Sequence, residues 1–273
     1  MMVGRDVVLA KRHDGDRALE KTVVTHALEV QNLTVPNARV KNAVDSVSFY
    51  VAPGEILGIA GVEGNGQTEL IEAIAGLRRA SSGRISMLGT DITGMSVRER
   101  GDHGLSHIPE DRHERGLVLD YPISENLILG QQHRFSKRGA LEKTRVASHA
   151  QELIKTYDIR PADPALPARA LSGGNQQKIV IAREMGGARD FKVLLAAQPT
   201  RGVDVGAIEF IHTRLRDARA AGKGVLLVSA DLTEVLALSD RIAVMYGGRI
   251  VAIVPGRTAT AEQLGMHMTG SAA

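Results

Sequence analysis

The stretch "GEILGIAGVEGNGQTELIEAIAGL", residues 54–77, decides the architecture. "GEILGIAG" (54–61) is a short apolar run that reads as a buried strand. "QTELIEAIAGL" (67–77) places Leu70, Ile71, Ile74 and Leu77 at the spacing of one helix face. Between them, Gly61 and Gly66 have the spacing of G-x-x-x-x-G-K-[ST], the loop that cradles phosphates between a strand and a helix. Glycines let backbone N–H groups turn inward and approach phosphate oxygens, and the helix N-terminus adds a favourable dipole. Gly64 and Asn65 complete the loop, and Thr68 supplies its hydroxyl. The lysine that would reach the phosphates is replaced by Gln67, a neutral amide. Charge-assisted hydrogen bonds contribute about 1.5–3 kcal/mol each, so this change is expected to weaken nucleotide binding and need not abolish it. Taken alone, the segment also fits a plain tight turn.

Outward from this loop the chain alternates strands and helices. "ALEVQNLTV" and "AVDSVSFYV" alternate like strands of a half-exposed sheet, and "SGRISMLG" reads as another strand. From about 112 to 170 the pattern turns helical, clearest in "ISENLILGQQ" and "LEKTRVASHAQELIKTY", until the Pro-rich "RPADPALPAR" interrupts it. The rhythm then resumes: a helix after "LSGGNQQ", a strand at "FKVLLAA", a helix at "GAIEFIHTRLRDARA", a strand at "GVLLVSA" and a helix at "LTEVLAL". "RIAVMY" and "RIVAIV" close it as strands. The fold class is therefore α/β, a mostly parallel sheet covered on both faces with a helical insertion in the middle. Residues 1–26 are charged, weakly patterned, and read as a linker or arm.

Bulk composition narrows the function. The 273 residues are enough to bury a full core, and 43% hydrophobic with 24% charged residues is ordinary for a globular protein. Aromatics make up 3% with no Trp, which disfavours base-stacking platforms and a membrane aromatic belt. A net charge of +3 falls short of a nucleic-acid footprint. The densest basic stretch, "QQHRFSKRG" (131–139), reads as a solvated face or a contact for an anionic partner. The longest apolar runs, such as "VLLVS" (225–229), fall far short of the ~20 residues a bilayer span needs. "VVLA" near the N-terminus is too short for a signal peptide's apolar core. The absence of Cys fits a reducing compartment.

A second motif, "LSGGNQQK" (171–178), opens directly into a helix. It reads as a Ser cap with permissive glycines, or as a second anion-binding helix start with Ser172, Gly173 and Gly174 aimed at a phosphate. It resembles the signature motif of ATP-binding cassette (ABC) ATPases, in which Gln176 follows within the motif. The order of the other motifs agrees: the degenerate P-loop, the helical insertion, the signature, a strand ending in "QPTRGVD", and then "VSADLTEVLALSDRIAVM". The match covers roughly residues 27–255, leaving 256–273 as a C-terminal helix or tail. "IPEDRHERGLV", "LSGGNQQK" and "AAQPTRGVDVGAIEFIH" look most like the C-terminal cassette of tandem ATP-binding subunits that drive simple-sugar and nucleoside importers. "MMVGR" at the start echoes "MHMTG" near the end, as the tail of a preceding copy would, or by coincidence.

The resemblance implies a P-loop NTPase-like cassette with an N-terminal antiparallel β subdomain, ATP and Mg²⁺ as cofactors, and a second, N-terminal cassette as partner. It also implies transmembrane permease subunits, a solute-binding protein acting indirectly, no nucleic acid, and a place on the cytoplasmic face of the membrane. The chain departs from a working ATPase at four positions. Gln67 replaces the lysine, and Ala197 and Gln198 in "VLLAAQPT" replace the Asp-Glu pair that holds the metal and polarises water. Ala230 replaces the switch histidine. Glu110 stands where a γ-phosphate-sensing glutamine is usual, and "TVPNARV" (34–40) offers no ring for adenine. The family pattern makes Asp204 an interface residue, though a helix cap is an equal reading, and gives Glu110 with the insertion the face toward the permease. Since such cassettes pair head to tail, an intact signature would complete the partner's ATP site while the site at 61–68 stays degenerate. A non-catalytic regulatory module of the same fold is the alternative. A cassette acting on DNA or ribosomes fits the short insertion poorly.

Overall fold

The computed structural model describes residues 25–38 and 42–270. The arm expected over 1–26 lies outside the described residues except at Thr25 and His26, whose imidazole stacks on Tyr50 at 4.1 Å.

Two sheets form the frame. β1 (Leu28–Val35) pairs antiparallel with β2 (Val44–Val51) and with β4 (Ser82–Met87), and the short β5 (Thr90–Asp91) extends the sheet in the order β2-β1-β4-β5. The second sheet contains β3 (Ile56–Ala60), β6 (Leu105–Ile108), β9 (Val193–Ala197), β10 (Gly224–Val228), β11 (Arg241–Tyr246) and β12 (Arg249–Pro255), in the order β12-β11-β3-β10-β9-β6. All its pairings are parallel except β11 with the edge strand β12. Every residue of β3, β9 and β10 is buried, as a sheet covered on both faces requires.

α1 (Gln67–Ala75) sits between the sheets, and Leu70, Ile71 and Ile74 enter the core they share. The helix ends at Gly76, so Leu77, expected on its apolar face, lies beyond the cap and is exposed. α2 (Val97–Asp102) follows with a Ser96/Glu99 capping box. On the other face, α4 (Lys143–Thr156), α5 (Gly173–Gly186) and α6 (Val205–Ala220) bury Leu153, Ile179 and Ile211. α7 (Leu232–Leu238) and α8 (Ala261–Met268) close the far end, where Leu264 packs fully buried with Val235, Ile242 and Val244.

The insertion is less helical than its sequence suggests. "ISENLILGQQ" forms only α3 (Ile123–Asn126) before breaking into turns that include Gly130 at φ 76°, and the Asn126 amide ties the helix to the Val118, Tyr121 and Pro122 carbonyls. The basic stretch 131–139 is solvated in part: Gln132, Lys137, Arg138 and Gly139 are exposed, while Gln131 and Phe135 are buried and Arg134 donates to Asp102 at 2.8 Å. It leads into a hairpin of β7 (Ser136–Lys137) and β8 (Ala140–Leu141).

Candidate functional site

Parallel pairing explains why distant residues meet. β6, β9, β10 and β3 all point the same way, so their carboxyl ends deliver Glu110, Gln198, Ala230 and the glycine loop to one edge of the sheet. Open α/β sheets bind ligands in the crevice outside those ends. Here the crevice is a cavity of about 240 Å³ lined by Gly61, Gly64, Gln67, Thr68, Glu110, Ala197, Gln198 and Ala230, among others.

The loop is held in one shape by its own contacts. Gly66 takes φ 99° at the start of α1, and a side chain there would collide with the Ala43 carbonyl. The side chain of Asn65 faces the β11–β12 turn, accepting from the Gly247 N–H at 2.8 Å, so it positions the loop. Buried Gln67 turns its amide back onto the loop, donating to the Val62 carbonyl at 3.1 Å. No cation projects from this position.

The opposite wall carries carboxylates. Glu110 accepts from the Thr68 hydroxyl at 3.2 Å and from the Arg201 guanidinium at 2.7 Å. Asp111 accepts the His113 and Glu114 backbone N–H groups, starting a π turn over Arg112–Gly116, and the Glu114 N–H is the first cause of its lowered pKa. Buried Glu72 is bracketed by Arg78 and Arg115, which anchors α1 to the π turn. Deep in the cavity, burial holds the His107 imidazole at a pKa of about 4, with its Nε2 lacking a hydrogen-bond partner. Gln198 sits in the left-handed region at φ 45°, and its Oε1 accepts the Ala230 N–H.

The signature turn lies apart from this cavity, since Ser172, Gly173 and Gly174 are not among its lining residues. Ser172 caps α5 and accepts from Asn175. A Cβ on Gly174 would press on the Asp204 carboxylate, which itself caps α6 through the Ala207 N–H at 2.9 Å. Gln176 points inward, meeting His113 at 2.8 Å and donating to the Ala168 and Leu171 carbonyls. Its side chain is therefore occupied by the protein itself. Arg201, Arg112, Glu72 and His107 were not singled out from the sequence; the only signal for Arg201 was a charge inside "QPTRGVD".

With this geometry in view, the chain belongs to the ABC transporter family, whose family model matches residues 44–201. Among curated relatives, it is 47% identical over 273 residues to the guanosine import ATP-binding protein NupO of Bacillus subtilis. It is 44% identical to the nucleoside import ATP-binding protein NupA of Lactococcus lactis, and 42% identical to the ribose import ATP-binding protein RbsA of Bacillus subtilis. These matches cover 99%, 99% and 86% of this chain but 52%, 52% and 48% of the relatives, so the chain spans about half the length of the curated relatives it matches. Of solved structures, a nucleotide-free ATP-binding cassette from an ABC transporter superposes with TM-score 0.73 at 24% identity, covering 90% of this chain and 95% of its own. A dimeric bacterial ABC transporter cassette gives 0.71 at 21% identity, covering 85% and 100%. Both establish the α/β cassette fold with its mixed sheet and antiparallel N-terminal sheet. Among the described residues, no helix is long and apolar enough to cross a membrane.

The end of β9 does not supply the carboxylate that a resident magnesium ion would take there. Hard divalent cations take carboxylate and other oxygen ligands. The end of β9 offers only the Ala197 methyl and the Gln198 amide, whose oxygen is engaged. Thr68 keeps its hydroxyl, but the carboxylate it meets is already paired with Arg201.

Proposed function

We propose that this chain is one ATP-binding half of an ABC importer for nucleosides or simple sugars. Its own loop site does not hydrolyse ATP, and it supplies its signature turn to the ATP site of a partner cassette. The observation that carries this reading is the contrast between two surfaces. At the crevice Gln67, Ala197, Gln198 and Ala230 stand where charge, metal ligand, base and switch are needed. Away from it, an intact Ser172–Gly174 turn opens α5. Gly61, Gly64, Asn65, Gly66, Gln67 and Thr68 form the residual nucleotide cradle, while Ser172, Gly173 and Gly174 form the lid for the partner's nucleotide, braced from within by Gln176. Glu110 and Asp204 serve coupling across the interfaces.

The partner is an N-terminal cassette in the same polypeptide or a dimer mate, and it holds Mg²⁺. Permease subunits provide the pore, and a solute-binding protein acts indirectly; nucleic acid plays no part. The chain works on the cytoplasmic face of the membrane, as residues 27–255 forming the cassette, with about 112–170 as the helical subdomain and 1–26 as a linker. The names of the two most identical relatives cited above favour nucleosides. Ser172→Arg in the assembled transporter tests the reading. It is expected to abolish solute uptake by blocking the partner's nucleotide, and undiminished uptake would overturn the shared site.

A further inference from the structure

We propose that Arg201 is the phosphate-binding cation of the degenerate loop site, standing in for the charge that Gln67 lacks, and that Glu110 holds it in place until nucleotide arrives. The inference rests on reading this crevice as a nucleotide site.

Two guanidinium groups line the cavity, Arg115 and Arg201. Arg115 is committed to the buried Glu72 carboxylate. Arg201 is not. Its side chain is 60% exposed, and among the described residues its guanidinium makes one hydrogen bond, from Nη1 to Glu110 at 2.7 Å. A guanidinium has five N–H donors in a planar fork that matches phosphate oxygens, so most of this one's capacity is uncommitted.

The backbone beneath it is fixed. The Arg201 N–H donates to the Gln198 carbonyl at 3.0 Å. Arg112 then clamps the carbonyls of Arg201 and Gly202 at 2.7 and 3.1 Å. An exposed cation on a pinned stalk is suited to reach a ligand without moving the loop.

Charge balance makes that reach necessary. Glu63, Glu110, Asp111 and Glu114 also line the cavity, so a triphosphate entering it meets a wall of carboxylates. With no carboxylate at the end of β9 and Arg115 committed to Glu72, Arg201 is the lining guanidinium left to receive the phosphates. An ion pair this exposed is weak, so exchanging Glu110 for a phosphate costs little. The exchange would free Glu110 next to the Arg112 clamp, tying nucleotide occupancy to the segment assigned above to coupling.

Equilibrium binding of ATP to the chain in EDTA tests the proposal, with thermal melts checking that each variant folds. Arg201→Ala is expected to weaken binding about tenfold or more, as loss of a charge-assisted contact implies. Arg201→Lys should fall between it and wild type. Glu110→Gln should tighten binding several-fold, because it releases the guanidinium and removes a repelling charge. Unchanged affinity in Arg201→Ala, weaker binding in Glu110→Gln, or no saturable binding in wild type and Glu110→Gln alike would overturn it. So would binding that requires Mg²⁺ and ignores Arg201. ATP turnover by the wild-type chain would instead refute the non-hydrolysing reading, so the two failures are distinguishable.

Discussion

The side-chain oxygen of Gln198 accepts the backbone N–H of Ala230 across 3.1 Å. One lone pair of the amide at the position proposed above for the missing base is thereby used to join the loops after β9 and β10. Hydrolysis needs a positioned nucleophile and neutralised phosphate charge together, and such groups act as a unit. The purified chain is therefore expected to release no phosphate from ATP above background. Gln198→Glu alone should not restore it, because Ala197 and Gln67 still withhold metal ligand and lysine. Steady turnover by either protein in a phosphate-release assay, insensitive to changes at Ser172, would contradict the assignment.

The fold was legible because its signals are local. "ILGIA", residues 56–60, carries no polar side chain, and as β3 it is buried along its whole length. Glycines at 61, 64 and 66 announce a loop whatever surrounds them. What stayed hidden depends on contacts between distant residues. Glu110 and Arg201 lie 91 positions apart and meet only because β6 and β9 run parallel side by side. Phe135 and Gln131 sit in a stretch that reads as basic and solvated, and tertiary packing buries them. Leu77 failed differently: its spacing is right, but Gly76 ends the helix one residue earlier.

Arg100 shows how much stability one such contact carries. Reaching from α2, its fully buried guanidinium donates to the carbonyls of Ala73, Ile74, Thr93 and Met95 at 2.6–3.0 Å. Two of these are terminal carbonyls of α1: Ala73 also accepts the Gly76 N–H at the helix cap, while Ile74 lies beyond the last i→i−4 donor. Burial lowers the Arg100 pKa from its ordinary value, yet arginine remains charged in proteins. Arg100→Met keeps much of the volume and removes four hydrogen bonds to carbonyls, so a loss of about 3 kcal/mol is expected. A lower urea midpoint at unchanged m-value would register it. A shift under about 0.5 kcal/mol would mean that water satisfies those carbonyls.

His107 sets an acid limit on stability. Burial disfavours its charged form more than the neighbouring Glu184 carboxylate favours it, and Arg115 and Arg183 lower the pKa further while Glu72 raises it, leaving a value of about 4 against an ordinary 6.5. Between those values the unfolded ring carries a proton that the folded ring refuses. The unfolded state therefore binds more protons, and stability falls as pH is lowered through this window and is flat above it. At pH 5 the loss attributable to this ring is about 2 kcal/mol relative to pH 7. Comparing urea unfolding of wild type and His107→Gln at the two pH values isolates it, since His149, also lowered by burial, contributes equally to both proteins. The variant is expected to lose about 2 kcal/mol less than wild type on acidification. Parallel losses in the two proteins would show that the folded ring accepts its proton without penalty, and that the inner end of the crevice is wetter than its packing implies.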